Sequence, residues 1–215
     1  LNKIAENNDL TIVAGGKGEI SQAFSRDPIH SHFDKPQRHL ACLYVENTIG
    51  HELNGVKANI IPGVGEFLFI SGLTKNQKKA EMMLFEGIPN GPFDCWKELN
   101  SPQEQLKKAV SLLKEFVPWE AERFATATLT DELATLVGQL TPSVRLPTFT
   151  LPCGRAVLGL GDTLVLNDPI AGQGANNAAK AAQIYLDRIN SHQEKEFDEE
   201  WMQETFKAYW KQYGK

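Results

Sequence analysis

The sequence predicts an α+β (mixed α/β) fold, and three observations carry that reading. Apolar residues alternate in strand fashion across residues 38–88, the pattern turns helical near Ser101, and a hairpin then leads into two more helical stretches. The regular strand–helix alternation of a complete doubly wound domain is missing.

Asp9 to Ala14 is a short β-branched run ending in Gly15-Gly16-Lys17-Gly18, a strand opening into a tight turn. It has no obvious sheet to join. Residues 25–38, with Pro28, Pro36 and charges of both signs, form a loop. Leu40–Val45, Val56–Ile61 and Glu66–Ser71 are strands, the last two joined through Pro62-Gly63-Val64-Gly65. Lys79–Glu86 is assigned to the same antiparallel sheet. Ser101-Pro102-Gln103-Glu104 combines an N-cap serine, a first-turn proline and a capping-box glutamate. Leu106, Ala109, Val110, Leu113, Phe116 and Val117 follow at helical spacing, and Pro118 ends the helix. Trp119–Phe124 is a short helix and Asp131–Leu140 a further one, closed by Pro142. Phe149–Leu151 and Ala156–Leu160 form a hairpin around Pro152-Cys153-Gly154. Ala175–Ile189 is an alanine-rich helix. The tail, 196–213, is amphipathic, with Phe197, Trp201, Phe206 and Trp210 as its apolar stripe. That stripe can pack on its own core or on a second copy, which leaves a homodimer open.

The 215 residues, 41% hydrophobic and 23% charged, have an ordinary globular composition. A net charge of −5 with both signs well mixed gives no basic footprint for nucleic acid. No apolar run is long enough to span a membrane. The chain starts at Leu1 without a signal peptide, and Cys42, Cys95 and Cys153 are few and far apart. The odd number and wide spacing of these cysteines fit reduced thiols in a cytoplasmic protein. His30 and His32 are read as loop residues rather than metal ligands, because no third ligand is in view.

The chemistry concentrates in Gly159-Leu160-Gly161-Asp162-Thr163-Leu164-Val165-Leu166-Asn167-Asp168-Pro169-Ile170-Ala171-Gly172-Gln173-Gly174-Ala175-Asn176-Asn177. A buried strand ending at Gly161-Asp162 places a carboxylate where its sheet opens. A rigid Asn-Asp-Pro loop follows. Gly172 and Gly174 let backbone amides face a ligand as a helix begins, and such a helix end stabilises negative charge. The carboxylate suits ribose or ribityl hydroxyls. A Gly-x-Gly-x-x-Gly reading of Gly16-Lys17-Gly18-Glu19-Ile20-Ser21 fails: the third glycine is Ser21, and Asp34 sits in a Pro-rich loop.

This arrangement resembles the flavoprotein monooxygenases of the hydroxybenzoate-hydroxylase superfamily, in which a Gly-Asp, a Pro and a Gly-rich helix start lie in the same order. Asn-Asp-Pro-Ile-Ala-Gly-Gln-Gly-Ala-Asn-Asn-Ala-Ala-Lys is similar specifically to the two-component (group E) styrene and indole monooxygenases. Gly-Asp-Thr-Leu-Val departs from the Gly-Asp-Ala-Ala-His of most other members. Asp9–Gly18 and Pro36-Gln37-Arg38 extend the likeness over most of the chain.

The resemblance implies FAD as cofactor, contacted by Gly161, Asp162, Pro169, Gly172, Gln173, Gly174, Ala175, Asn176 and Asn177, with Gly16 near the pyrophosphate. It implies a C-terminal portion whose N-terminal ADP-binding segment would precede Leu1, so that the chain alone is expected to be inactive. The predicted organisation is 1–24 as a remnant of the FAD-binding domain, 25–150 as an antiparallel-sheet substrate-binding domain with helices, and 151–215 as the FAD-contacting hairpin, loop and C-terminal helices. The implied reaction inserts one oxygen atom of O2, through a flavin C4a-hydroperoxide, into a small aromatic alkene or indole-like substrate. An NAD(P)H-dependent flavin reductase would supply the reduced flavin. Such chemistry demands no general acid or base of the protein, and none is assigned. Leu43, Val45, Phe67, Phe69 and Met83 are expected to form the substrate-side wall. The rivals are a non-catalytic substrate-binding fragment and a flavin hydroxylase or halogenase of the same superfamily. Halogenation needs an active-site lysine, for which Lys17 and Lys180 are poorly placed. A Walker motif is absent, which argues against phosphoryl transfer.

Overall fold

The computed structural model describes residues 1–50, 55–193 and 195–214. A short helix α1 (Asn2–Glu6) precedes strand β1 (Ile12–Val13) and a 3-10 turn at Glu19–Ala23. Four strands follow: β2 (His39–Glu46), β3 (Val56–Ile61), β4 (Gly65–Leu73) and β5 (Lys79–Gly87). Helices α2 (Pro102–Phe116) and α3 (Pro118–Ala121) lead to β6 (Thr128–Leu129), β7 (Thr135–Gln139) and β8 (Ser143–Val144). The hairpin β9 (Thr148–Thr150) and β10 (Ala156–Gly159), strand β11 (Val165–Leu166), and helices α4 (Gly174–Ser191) and α5 (Glu199–Tyr213) complete the chain.

The chain divides into two compact units, one of residues 36–140 and one of residues 1–35 with 141–215. Segments 25–35 and 141–150, assigned from the sequence to the sheet domain, lie in the second of these. The 36–140 unit is a six-stranded sheet of order β3-β4-β5-β2-β6, with β7 also paired to β2. All its pairings are antiparallel.

The register fixes which side chains share a face, because successive residues point to opposite sides. Phe69, Met83 and Leu43 stand in one cross-strand row, and Phe67, Phe85 and Ala41 in the next. All are buried against α2, which contributes Leu106, Ala109, Leu112 and Leu113. Phe67, Phe85 and Phe124 interlock around this core, with ring centroids of Phe67–Phe85 at 4.7 Å. Helix α2 starts as its sequence predicts. Ser101 Oγ accepts the Glu104 N–H at 3.2 Å, while the Glu104 carboxylate accepts the Asn100 N–H at 2.9 Å.

The opposite face carries the alternate residues. Val56, Ile70, Met82 and Tyr44 form one row, and Ala58, Leu68, Leu84, Cys42 and Leu136 the next. These side chains are half-buried or exposed within the unit. One end of the face is charged, where Arg38 grips Glu66 with Nε–Oε2 at 2.7 Å and Nη2–Oε1 at 2.9 Å.

Asp131–Leu140 corrects the sequence reading, because it forms strand β7 and not a helix. The Asp131 carboxylate accepts the Leu133 N–H in a local turn at 2.7 Å, and β-branched Thr135 and Val137 then pair with the free edge of β2. A tertiary partner overrode local helical pattern. Helix α1 was not foreseen.

In the other unit β1 does find a sheet. It pairs in parallel with β10, which pairs in turn with β9 in the expected hairpin. Tyr185 of α4 donates its hydroxyl to the Gly159 carbonyl at 3.1 Å, and burial raises its phenol far above the ordinary range. The aromatic stripe of α5 packs within its own unit, with Trp201 and Phe206 buried beside Val157, Leu158 and Tyr185. Among the described residues no helix is long and apolar enough to cross a membrane.

Two outcomes test this packing. Truncating Phe67 to alanine is expected to cost about 3–5 kcal/mol in denaturant unfolding, and Ser101→Ala about 1 kcal/mol. Cys42 gives a second check. Burial pushes its thiol up to about 11, a rise only partly offset by its hydrogen bond with Tyr44. Its thiolate fraction at pH 8 is then roughly one in a thousand. Iodoacetamide labelling followed by mass spectrometry should show Cys42 alkylation climbing about tenfold per pH unit up to pH 10. A plateau below pH 9 would contradict the burial.

Candidate functional site

The candidate site is built at the carboxyl ends of the parallel strands β1 and β10, the edge at which open α/β sheets place ligands. Val13 lies beside Gly159 in the register, so the turns that follow both strands leave the sheet together. They are also bonded directly: the Gly15 N–H donates to Thr163 Oγ1 at 2.9 Å. Thr163 is fully buried, and this anchoring role was missed from the sequence. Its position next to Asp162 was the only signal.

Gly16 has a φ of +63° and is half-buried at the tip of the first turn. Next to it, a Cβ on Gly15 would stand 2.4 Å from Ile20 Cγ2, so the chain there accepts no side chain without moving Ile20. The second turn differs slightly from expectation. The strand stops at Gly159, and Gly161–Thr163 is one turn of 3-10 helix that presents Asp162. Gly161 sits at φ +62°, and a Cβ there would come within 3.2 Å of Ala178 Cβ. Glycine is therefore required for both conformation and close approach of α4.

Asp162 is half-buried and makes no hydrogen bond or ion pair among the described residues. A Cβ placed on Gly174 would be 3.8 Å from Asp162 Oδ1, so the carboxylate lies beside the first residue of α4. That helix begins without a capping side chain: Gln173, its N-cap residue, makes no such bond, and its amide instead donates to the Ala171 carbonyl at 3.0 Å. The first-turn N–H groups are thereby left for a ligand or water.

The intervening loop is stiffened from within. Asp168 accepts the Ile170 N–H at 3.0 Å ahead of the 3-10 turn Pro169–Ala171, and Gly172 ends that turn at φ +59°. Asn177 Nδ2 donates to Asn167 Oδ1 at 3.2 Å, holding the loop to the helix, and Asn176 Nδ2 donates to Gln173 Oε1 at 3.3 Å. Gly172, Gln173, Ala175 and Asn176 are exposed, whereas Gly174 and Asn177 are half-buried. Beside this loop a cleft of about 370 Å³ is lined by Asn167, Asp168, Asn177, His30, Phe33 and Trp210, among others. His30 is committed to Asp27, with Nδ1–Oδ2 at 2.6 Å, and packs edge-on against Trp210. Burial works against the charge on Asp27, but His30 and the Ile29 and His30 N–H groups hold its carboxyl below the usual range.

The structure brings Gly16, Gly161, Asp162, Pro169 and Gly172–Asn177 into one unit around the two strand ends. It does not bring the expected substrate-side residues to a surface. Leu43, Val45, Phe67, Phe69 and Met83 are at most 2% exposed and form the core under α2. The parity of the pleat explains this: all five belong to the helix-facing side, and the open apolar face consists of their sequence neighbours.

A family model described as "Styrene monooxygenase A putative substrate binding domain" matches residues 16–123. Styrene monooxygenase StyA of Pseudomonas fluorescens is 29% identical over 202 residues, covering 89% of this chain and 48% of that protein. The chain thus spans about half the length of the curated relatives it matches. Among solved structures, the chondrochloren halogenase CndH, an FAD-dependent halogenase of myxobacterial origin, superposes with a TM-score of 0.67 at 18% identity over 96% of this chain and 45% of that one. The flavin-dependent halogenase CmlS gives 0.61 at 19% identity over 95% and 34%. At such identities these two show a shared fold. Because the family model covers half of the sequence, including β2–β5 and α2, the chain belongs to the styrene monooxygenase A substrate-binding-domain family.

Proposed function

We propose that this chain is the C-terminal part of an FAD-dependent monooxygenase that inserts one oxygen atom of O2 into a small aromatic alkene or indole-like substrate. Reduced flavin comes, in this reading, from an NAD(P)H-dependent flavin reductase in the same cytoplasm. The observation that carries it is the meeting of an unpartnered Asp162 carboxylate with the uncapped start of α4. The kinship with StyA supports the same reading.

The residues present fit a flavin. A half-buried carboxylate with open lone pairs accepts polyol hydroxyls. The first-turn N–H groups of α4 favour the electron-rich edge of a reduced ring system, in a position where they need not reorganise. Gly172 and Gly174 keep side chains out of the approach, and Asn167 with Asn177 holds the loop in register. The bound flavin supplies the oxygen-transfer chemistry. The protein's share is to bind, to orient and to exclude water. No side chain is required to move a proton.

For the substrate wall we assign the open face of the sheet, Leu68, Ile70, Met82, Leu84, Cys42 and Tyr44, in place of the residues buried under α2. Its half-exposed aliphatic, thioether and phenol groups suit a flat apolar ring, which gains by leaving water.

Titrating oxidised and reduced FAD by fluorescence and calorimetry tests the cofactor assignment, in this chain and in the same sequence extended at its N-terminus. Asp162→Ala is expected to weaken binding at least tenfold, with the circular dichroism spectrum unchanged; equal affinity would remove Asp162 from the site. In the extended enzyme, Leu84→Trp should raise KM for styrene or indole several-fold. Unchanged KM would show that this face is not the wall.

A further inference from the structure

Two arginines in the unit of residues 1–35 and 141–215 stand in an arrangement that needs a third participant. Arg26 and Arg145 form an antiparallel bridge, framed by the Asp27 N–H donating to the Val144 carbonyl at 2.9 Å and the Leu146 N–H to the Ser25 carbonyl at 2.8 Å. Residues directly opposite in such a pair hold their Cβ atoms about 4.5–5.5 Å apart, and like charges there repel. Elsewhere in the chain Arg38 grips Glu66 and Arg123 grips Glu81, while Arg155 donates to the Ala5 and Asn8 carbonyls and Arg188 to Thr205 Oγ1. Arg26 and Arg145 form no ion pair among the described residues. Asp27, the nearest acid in sequence, is occupied by His30 and two backbone N–H groups. Arg26 spends one donor on the Phe33 carbonyl. Arg145 is half-buried, and its Nη1 is shielded from solvent with no hydrogen-bond partner. Burial first, and then the charge of Arg26, disfavour its protonated form.

A guanidinium with one nitrogen shielded from water and unbonded, set opposite a second arginine across a bridge, is costly unless an anion joins them. We propose that Arg26 and Arg145 form a binding site for a phosphate or diphosphate group, whose several oxygens can take two guanidinium forks at once. The Arg145 N–H donates to the Leu164 carbonyl at 2.8 Å, so the pair lies next to the strand that follows the Asp162 turn. The ligand's phosphate belongs either to the flavin or to a separate nucleotide, and the site itself stands whether or not the flavin reading holds.

The test is calorimetric titration of inorganic pyrophosphate into the chain at low salt, with melting temperature followed in parallel. The wild-type chain is expected to bind pyrophosphate and to melt higher in its presence. Arg145→Met and Arg26→Gln should each weaken binding at least tenfold. Without the anion, Arg26→Gln should melt no lower than wild type, because it removes repulsion and leaves the core intact. Should Arg145→Met fail to fold, exposed Arg26 decides alone. Wild type that ignores pyrophosphate, or Arg26→Gln that binds it equally, overturns the site. Displacement of pyrophosphate by FAD identifies the flavin as the source of the phosphate; displacement by ADP but not by FAD identifies a separate nucleotide, and either result upholds the pair.

Discussion

The parallel pairing of Ile12–Val13 with Leu158–Gly159 is locked by the Gly15 N–H on Thr163 Oγ1, 148 residues away in sequence. Everything at the candidate site depends on that closure. It makes one unit of residues 1–35 and 141–215, aligns two glycine turns at the same sheet edge, and sets the level at which α4 begins. Closing so long a loop is less costly than it looks, since the entropy rises only with the logarithm of length, about 0.6 kcal/mol per doubling. The intervening unit of residues 36–140 brings its own sheet, helix and core. It can therefore be carried between two paired strands without drawing on their contacts.

Within that unit, the pleat divides one set of apolar strands into two surfaces with different fates. The helix-facing rows, centred on Phe67, Phe85 and Met83, are filled by α2 to the density of a core. The alternate rows, from Val56 across to Leu136, stay half-buried or exposed among the described residues. A second apolar face of this kind suits a binding wall better than a deep core residue does, because it can exchange water for ligand without opening a cavity.

Charge is handled with the same economy. Glu66 opposes Glu86 in the sheet, and Arg38 holds Glu66 with both prongs. Glu81 is held by Arg123, and the buried Glu120 is paired with Lys57. Against that background the Arg26–Arg145 pair stands out as two like charges facing each other across a bridge.

Much of this was legible in the amino-acid sequence. The capped helix at Ser101, the hairpin around Pro152-Cys153-Gly154, the four strands of residues 38–88 and the glycine-rich approach to α4 all rest on local causes: side-chain caps, fixed proline φ, left-handed glycines and period-two patterning. Those causes act between residues a few positions apart, so the sequence by itself determined these elements and placed Asp162 between a strand and a helix start. Only the tertiary structure decided the rest. Residues 131–140 became an edge strand because β2 had a free side. The strand at residues 12–13 acquired its partner from the far end of the chain. Alternation reveals that a strand has two faces, but which of them is buried depends on where α2 lands, and that choice put Phe67 and Met83 in the core and left Leu68 and Leu84 on the open face.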